Sequence, residues 1–439
     1  MAINKKKTKT VLSLFSGCGG MDLGFEGGFH VLAPSINQKL FPNWIEEKLN
    51  DKWIKIKETS FTTMFANDIN KYAKTCWDHN FSKLDSSQYE DIYHIDSIVD
   101  IVKKSTNGSK NLLPEYADVI TGGFPCQDFS IAGKRKGFLS HKSHNGNYLS
   151  SVENTNLENR GMLYLWMREA INIVRPKVFI AENVRGMVSL SNVASIIEDD
   201  FKNIGKEGYL VIPARVLKAY EYGVPQMRER IFFIGFNRSY LKKSAVKALE
   251  SIPIPSEYDP YPKQTHCYKN GDLFKENYKI GSVSNRLAPY VTVREALDDM
   301  DEPEETNDLS HQNFSKARWY GKHCQGQTEI ELDGLSPTIR AEHHGNIEFR
   351  RLNVEHGGKY INELEEGKIE RRLSVRECAR LQTFPDSFDF VIENSDGKRG
   401  YKLSASEAYK LLGNAVPPLL AYHLAKRLEE IWDRIFYNK

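Results

Sequence analysis

Between about residue 10 and residue 237, apolar positions along the chain fall into two alternating patterns. Short, nearly continuous runs rich in β-branched and aromatic residues (TVLSLFSG, TMFAND, ADVITGG, KVFIAEN and RIFFIGF) predict buried strands, most of them closing on glycine or a polar residue. Between them, NKYAKTCWDHN, MLYLWMREAINIV and VASIIEDDFKNIG carry helical patterns. Strands alternating with helices predict an α/β fold with a doubly wound, mostly parallel sheet. Residues 36–62, dense in Lys, Glu and Trp, interrupt this rhythm and read as an inserted surface excursion. From SIPIPSEYDPYPKQ (251–264) to about residue 370 the alternation stops. Turns, isolated short strands and an acidic loop, DDMDEPEETND, take its place, and the loop is expected to be a solvated connection. Order returns at the end, where Leu420, Leu424, Leu428, Ile431 and Ile435 share one helical face, a core-packing stripe. The expected division is a first domain over 1–238, completed by 405–439, and a smaller irregular domain with its connecting segment over 239–404.

Composition narrows the class. A chain of 439 residues, 40% hydrophobic, can bury a sizeable core and suits two or three domains. Mean hydropathy is −0.52, and no apolar run approaches the ~20 residues of a membrane-spanning helix, so no membrane partner is expected. The start, MAINKKKTKTVLSLFSG, is basic, but its apolar segment is broken by Ser13 and Ser16, unlike a secretory leader. Six cysteines (18, 76, 126, 267, 324 and 378) include no CxxC pair. That disfavours a disulfide framework and fits a reducing cytoplasm. The formal net charge is only +2, so a phosphate-binding surface has to be local.

Five stretches carry candidate chemistry. In LFSGCGGMDLGF, Gly17, Gly19 and Gly20 follow a strand, a turn against which a cofactor can lie. A dinucleotide fingerprint wants glycine at position 22. Asp22 stands there, and its charge beside a pyrophosphate favours a nucleoside cofactor with a positive centre, such as S-adenosylmethionine. TMFAND ends in Asp68, which reads equally as an acceptor for ribose hydroxyls or as a helix N-cap. GGFPCQDFS places Cys126 in the loop after a strand. A lone cysteine is usually structural, but the glycines and Gln127 beside it suit a nucleophile better than a packed thiol. In PKVFIAENVRGM, Glu182 and Asn183 end an apolar strand, pointing into the same crevice or forming a surface salt bridge. In YGVPQMRERIFFIGF, Gln226, Arg228 and Arg230 fall on one strand face. Two arginines there make a site for phosphate, or for a carboxylate and a carbonyl oxygen at once, or an ordinary exposed edge.

Taken together and in order (glycine turn, acidic strand end, Pro-Cys, Glu-Asn-Val, Gln-x-Arg-x-Arg, then YKLLGNAVPP), these blocks resemble the DNA (cytosine-5)-methyltransferases of restriction-modification systems. RRLSVRECARLQTFPDSF is similar to the family's block supporting the recognition domain, and LSPTIRAEHHGN to its Thr-hydrophobic element at Thr338-Ile339. The region from roughly 240 to 370 takes the place of the variable target-recognition domain. The resemblance implies that Cys126 attacks carbon-6 of a flipped-out cytosine, which then takes a methyl group from S-adenosylmethionine at carbon-5. Glu182 would hold or protonate N3, Arg230 would contact the cytosine carbonyl, and Arg228 a nearby phosphate or Glu182. Phe15, Gly17, Cys18, Gly19, Gly20, Asp68, Ile69, Asp96, Pro125, Leu163, Asn414 and Val416 would surround the cofactor. Gln127, Ser130, Asn183, Gln226 and Thr338 would meet the substrate. Two features depart from the family: the insertion lengthens the spacing to Asp68, and Asp96 in YHIDSI lacks a preceding glycine.

The expected partner is double-stranded DNA, bound by a monomer in the bacterial cytoplasm at the nucleoid. A cognate restriction endonuclease would belong to the same system without being a physical partner. A tRNA cytosine-5 methyltransferase on the same scaffold and a catalytically silent DNA-binding relative remain alternatives. No metal is expected, since Cys267, His323, Cys324, His343 and His344 fit no zinc spacing.

Overall fold

A computed structural model of the chain describes residues 9–84, 87–89, 91–108, 112–125, 162–189, 193–268, 286–341, 347–394 and 399–437. In chain order its strands begin with β1 (Lys9–Leu14) and a separate trio, β2 (His30–Leu32), β3 (Ile45–Lys48) and β4 (Trp53–Ile56). There follow β5 (Phe61–Asn67), β6 (Tyr93–His94), β7 (Val119–Gly123), β8 (Val178–Val184), β9 (Tyr209–Lys218) and β10 (Glu229–Asn237). The large sheet has the order β6-β5-β1-β7-β8-β10-β9. Its pairs are parallel except those of β10, which runs antiparallel to both β8 and β9. All five apolar runs expected to be strands lie in this sheet, as β1, β5, β7, β8 and β10. The edge strands β6 and β9 were not among them.

Helices cover both faces. They are α1 (Gly20–Glu26), α2 (Lys71–Leu84), α3 (Ile98–Thr106), α4 (Leu163–Val174), α5 (Val193–Lys202) and α6 (Lys243–Leu249). The remainder are the short α7 (Val293–Leu297), α8 (Leu309–Gln312), α9 (Ile361–Glu365) and α10 (Val375–Leu381), then α11 (Ala405–Asn414) and α12 (Pro418–Ile435). Successive strand side chains point to opposite faces. Val11, Val119 and Val178 join a core with α1, α2 and α12, whereas Leu12, Ile120 and Phe179 join one with α3, α4 and α5. The whole stripe of α12, Leu420 through Ile435, is buried as its spacing demands, each residue contributing on the order of 2 kcal/mol of apolar burial. β1 lies between β5 and β7, where the chain crosses from one half of the sheet to the other. That reversal opens a crevice at the carboxyl ends of the strands.

Two expectations need correction. Residues 36–62 are not a mere excursion: β2, β4 and β3 form an antiparallel sheet with Trp44, Ile54 and Ile56 buried beneath charged outer residues. Nor is the acidic loop simply solvated. Asp299 pairs with Lys52 and Arg380, Glu302 with Arg351 and Arg371, and Asp308 with Arg376. Arg351, Arg371 and Arg376 are almost fully buried. A buried guanidinium needs carboxylate or carbonyl acceptors to offset its desolvation, and this loop supplies them.

Candidate active site

The glycine turn forms because β1 ends where the backbone turns left-handed. Phe15, Gly17 and Gly19 all have positive φ (54°, 55° and 87°). A Cβ at Gly19 would lie 2.6 Å from Phe81 and 2.7 Å from Trp77, so only glycine fits beneath these stacked rings. At Gly17 the same direction is open space, leaving backbone that a ligand can approach. The Gly17 amide donates to Asp68 Oδ2 (3.1 Å) and Tyr93 Oη donates to the Gly17 carbonyl (2.9 Å). Asp68 Oδ1 accepts from the Asn70 amide, while Asn70 itself accepts from Tyr72 at the start of α2. Asn70 therefore takes the cap position, and Asp68 is left to brace the turn at the crevice.

Asp22 corrects an earlier inference. Its carboxylate does not face the crevice but is buried, accepting from Ser13 and from Trp77 Nε1 (2.8 Å). Burial pushes it up to about 6. The charge argument against a pyrophosphate at this turn consequently loses its footing. Cys18 is also buried, its thiol pushed up to about 12 by desolvation, so it acts in packing.

Several other expected cofactor residues lie near this turn or the neighbouring strand ends. Asn67, at the tip of β5, donates to the carbonyls of His94 (3.0 Å) and Asp96 (2.8 Å), which fixes the Asp96 segment beside the strand end. Ile69 is exposed at 46% next to Asp68. Leu163 opens α4 within the same core that Phe15 packs against. From the carboxyl-terminal segment, the Val416 carbonyl approaches Gly20 so closely that a Cβ there would stand 2.3 Å away. Asn414 ends α11 exposed. The carboxyl-terminal segment thus packs against the helix start that follows the glycine turn. Asn67 and Tyr93 were missed; a buried polar residue at a strand tip, one before Asp68, was the available signal for the first.

The second half of the crevice lies at the tips of β7, β8 and β10. Glu182 stands opposite Gly123 in the β7–β8 register, and a Cβ on Gly123 would come within 2.9 Å of Glu182 Oε2. Arg230 Nε reaches Glu182 Oε1 at 2.8 Å, with both side chains about nine-tenths buried. Burial raises the Glu182 carboxyl above its ordinary range, against the pull of Arg230 and Arg228. Asn183 Nδ2 donates to the Phe124 carbonyl (3.1 Å), pinning the chain just ahead of Pro125. Cys126, Gln127 and Ser130 lie outside the described residues, as do His343 and His344.

The arginine stretch differs from the expected single strand face. β10 begins at Glu229, and Gln226 and Arg228 precede it. Arg228 is fully buried, donating from Nη1 to the Ile339 carbonyl (3.1 Å) and from Nη2 to the Gly413 carbonyl (3.0 Å). Its terminal nitrogens thus bind protein carbonyls rather than an outward phosphate. Gln226 is likewise buried, with Nε2 donating to Leu381 O and Oε1 accepting from Ile339 N (both 3.3 Å). Thr338 Oγ1 donates to the Met227 carbonyl (2.6 Å). Together these bonds tie the Thr338-Ile339 element to the chain entering β10.

A doubly wound sheet with a glycine turn, an acidic strand tip and a buried Glu–Arg pair at its carboxyl edge is the arrangement of an α/β enzyme with its site at the strand ends. Comparison with known proteins sharpens this. The model for the family described as "C-5 cytosine-specific DNA methylase" matches residues 9–430. The chain belongs to that family and is a DNA (cytosine-5)-methyltransferase. Among curated relatives, the type II methyltransferase M.BspRI of Lysinibacillus sphaericus is 30% identical over 96% of this chain and 81% of its own length. M.FnuDI of Fusobacterium nucleatum is 28% identical over 96% and 94%. Of solved structures, the S. pombe Dnmt2 methyltransferase shares the fold at a TM-score of 0.52, with 16% identity over 96% of this chain and 99% of its own. Among the described residues no helix is long and apolar enough to cross a membrane.

Proposed function

We propose that the enzyme methylates carbon-5 of a cytosine flipped out of a specific duplex DNA sequence, using S-adenosylmethionine and a transient covalent bond from Cys126. The observation that carries this is the Glu182–Arg230 pair beside Gly123, three residues before Cys126. A thiolate adding to carbon-6 pushes electrons into the ring, and N3 is where the developing charge is neutralised by a proton. A buried carboxyl raised above its ordinary range and held by one guanidinium is suited to hold or donate that proton. Loss of the carbon-5 proton after methylation restores the double bond and releases the cysteine. Arg230, locked to Glu182, would contact the cytosine carbonyl, whereas Arg228 would act as a buried strut. Flipping is required because carbon-6 is shielded inside a duplex, at a cost of a few kcal/mol.

The cofactor site fits S-adenosylmethionine on this chain's own features. The turn at Gly17 exposes backbone to open space, and the Asp68 carboxylate at the strand tip can accept from ribose hydroxyls. When bound, that cofactor supplies the electrophilic methyl carbon. Asn183 and Gln226 act in positioning: one pins the chain at Phe124, the other the Thr338-Ile339 element. We place the protein, as a monomer, in the bacterial cytoplasm on nucleoid DNA, shielding host sites from a cognate endonuclease.

The test uses purified protein, labelled S-adenosylmethionine, unmethylated duplex DNA of mixed sequence and tRNA, with modified cytosines mapped at single-base resolution. Methylation confined to one short DNA motif is expected. Transfer to tRNA alone would overturn the assignment of substrate.

A further inference from the structure

We propose that residues 316–325 form the loop that reads base edges of the target sequence, with Arg318, His323 and Gln325 as specificity-determining side chains. The proposal rests on the reading of this enzyme as a modifier of duplex DNA.

Charge segregation points to the segment first. The stretch 298–308 is crowded with carboxylates, yet residues 309–328 contain no Asp or Glu while carrying Lys316, Arg318 and Lys322. In a protein of net charge +2, a run of twenty residues free of negative charge is one local electropositive stretch of the kind a polyanion requires; residues 129–152 are another. The structure shows where the acidic partners go: Asp299, Glu302 and Asp308 pair with Arg380, Arg371 and Arg376 of the supporting block, and Glu302 also with Arg351. Among the described residues neither Arg318 nor Lys322 is in an ion pair.

Rigidity is the second argument. Arg372 is buried and its guanidinium donates to the carbonyls of Ala317 (2.9 Å), Arg318 (3.1 Å) and Gly326 (2.6 Å), closing both ends of the loop onto one cation. A further bond to Ile347 O anchors it to the segment just ahead of the short strand Phe349–Arg351. Gln327, also buried, accepts from the Tyr320 amide (2.8 Å), and its carbonyl accepts from Trp319 Nε1 (3.2 Å). Trp319 in turn stacks on His356 at 4.5 Å. Gly321 and Gly326 supply positive φ at the two bends.

Against this fixed frame, Arg318, Tyr320, Lys322, His323 and Gln325 are exposed, Tyr320 at 64%. A loop held this tightly while directing hydrogen-bonding side chains into solvent is preorganised for a partner, because its ordering entropy is already spent. Arginine and glutamine are the side chains that bind guanine and adenine edges bidentately in the major groove.

The loop is also wired to the active site. Arg228 holds Ile339, and the next residue, Arg340, pairs with Glu348 (3.4 Å). Glu348 accepts from Thr328 Oγ1 (2.8 Å), adjacent to Gln327. Recognition is thereby referenced to the strand that carries Arg230.

The experiment compares Arg318→Ala, His323→Ala and Gln325→Ala with wild type on the methylated motif and on duplexes altered at each of its base pairs. Melting temperature and S-adenosylmethionine affinity serve as folding controls, which exposed side chains should leave unchanged. For at least one variant, preference for the intact motif over a duplex altered at one position should fall by about 10-fold or more, with other positions unaffected. Unchanged ratios in all three variants, whether overall rates drop uniformly or not at all, would overturn the proposal. Wild-type enzyme that methylates no DNA motif would instead sink the functional reading itself.

Discussion

Gly123→Ala separates the catalytic geometry from the stability of the fold. The new methyl would sit 2.9 Å from Glu182 Oε2, where an ordinary contact needs about 3.4 Å, so something has to move by about 0.5 Å. Backbone cannot give readily, because Gly123 and Glu182 face each other in the parallel β7–β8 register. The free end of the Glu182 side chain yields instead, and it drags on its 2.8 Å contact with Arg230. Since a displacement of ~1 Å at a reacting group can cost ~100-fold, a shift of half that should slow methyl transfer by about 10-fold. The assay is single-turnover methylation at saturating DNA and cofactor, alongside the melting temperature and the cofactor Kd. We expect a slower chemical step with the other two nearly unchanged. A wild-type rate would refute the placing of Glu182 in the reaction. A collapse in melting temperature would show that the sheet, not the carboxylate, absorbs the methyl.

Cys126→Ser should abolish turnover and leave cofactor affinity nearly intact; retained turnover would remove the nucleophile. Asp68→Ala should weaken S-adenosylmethionine binding by about 10-fold or more, the worth of hydrogen bonds to a charged group, and equilibrium titration with and without DNA would show whether the loss is confined to the cofactor. Acid stability should be governed in part by Glu302, held at about 2 by Arg371 and Arg351 against its own burial. Its folded-state value lies below the unfolded one, so its contribution is fully present above pH ~4.5 and lost as pH falls toward 2. Glu302→Gln should therefore cost on the order of 3 kcal/mol of stability at pH 7, read as a lower melting temperature, and flatten the acid limb of the profile.

Much of this protein was legible in its sequence because parallel strands buried on both faces announce themselves as continuous apolar runs. TVLSLFSG, TMFAND, ADVITGG, KVFIAEN and RIFFIGF became β1, β5, β7, β8 and β10, and the α12 stripe packed as its spacing required. The order of the glycine turn, Asp68, Cys126, Glu182 and Arg230 was enough to name the family. Which face a side chain takes was not legible, since that depends on what packs above it. Asp22 looked like a charge in the crevice, but Ser13 and Trp77 draw it inward. Gln226 looked like a substrate contact and Arg228 like a partner of a phosphate or of Glu182; carbonyls and an amide from residues 339, 381 and 413, far off in sequence, hold them, and of the two readings of Arg228 its pull on Glu182 is the one present. The acidic loop looked solvated until the buried arginines of the supporting block were brought against it. Local sequence sets backbone preference and reactivity. Only the fold decides which polar groups lose their water, and each of those has to find its partner wherever the chain returns.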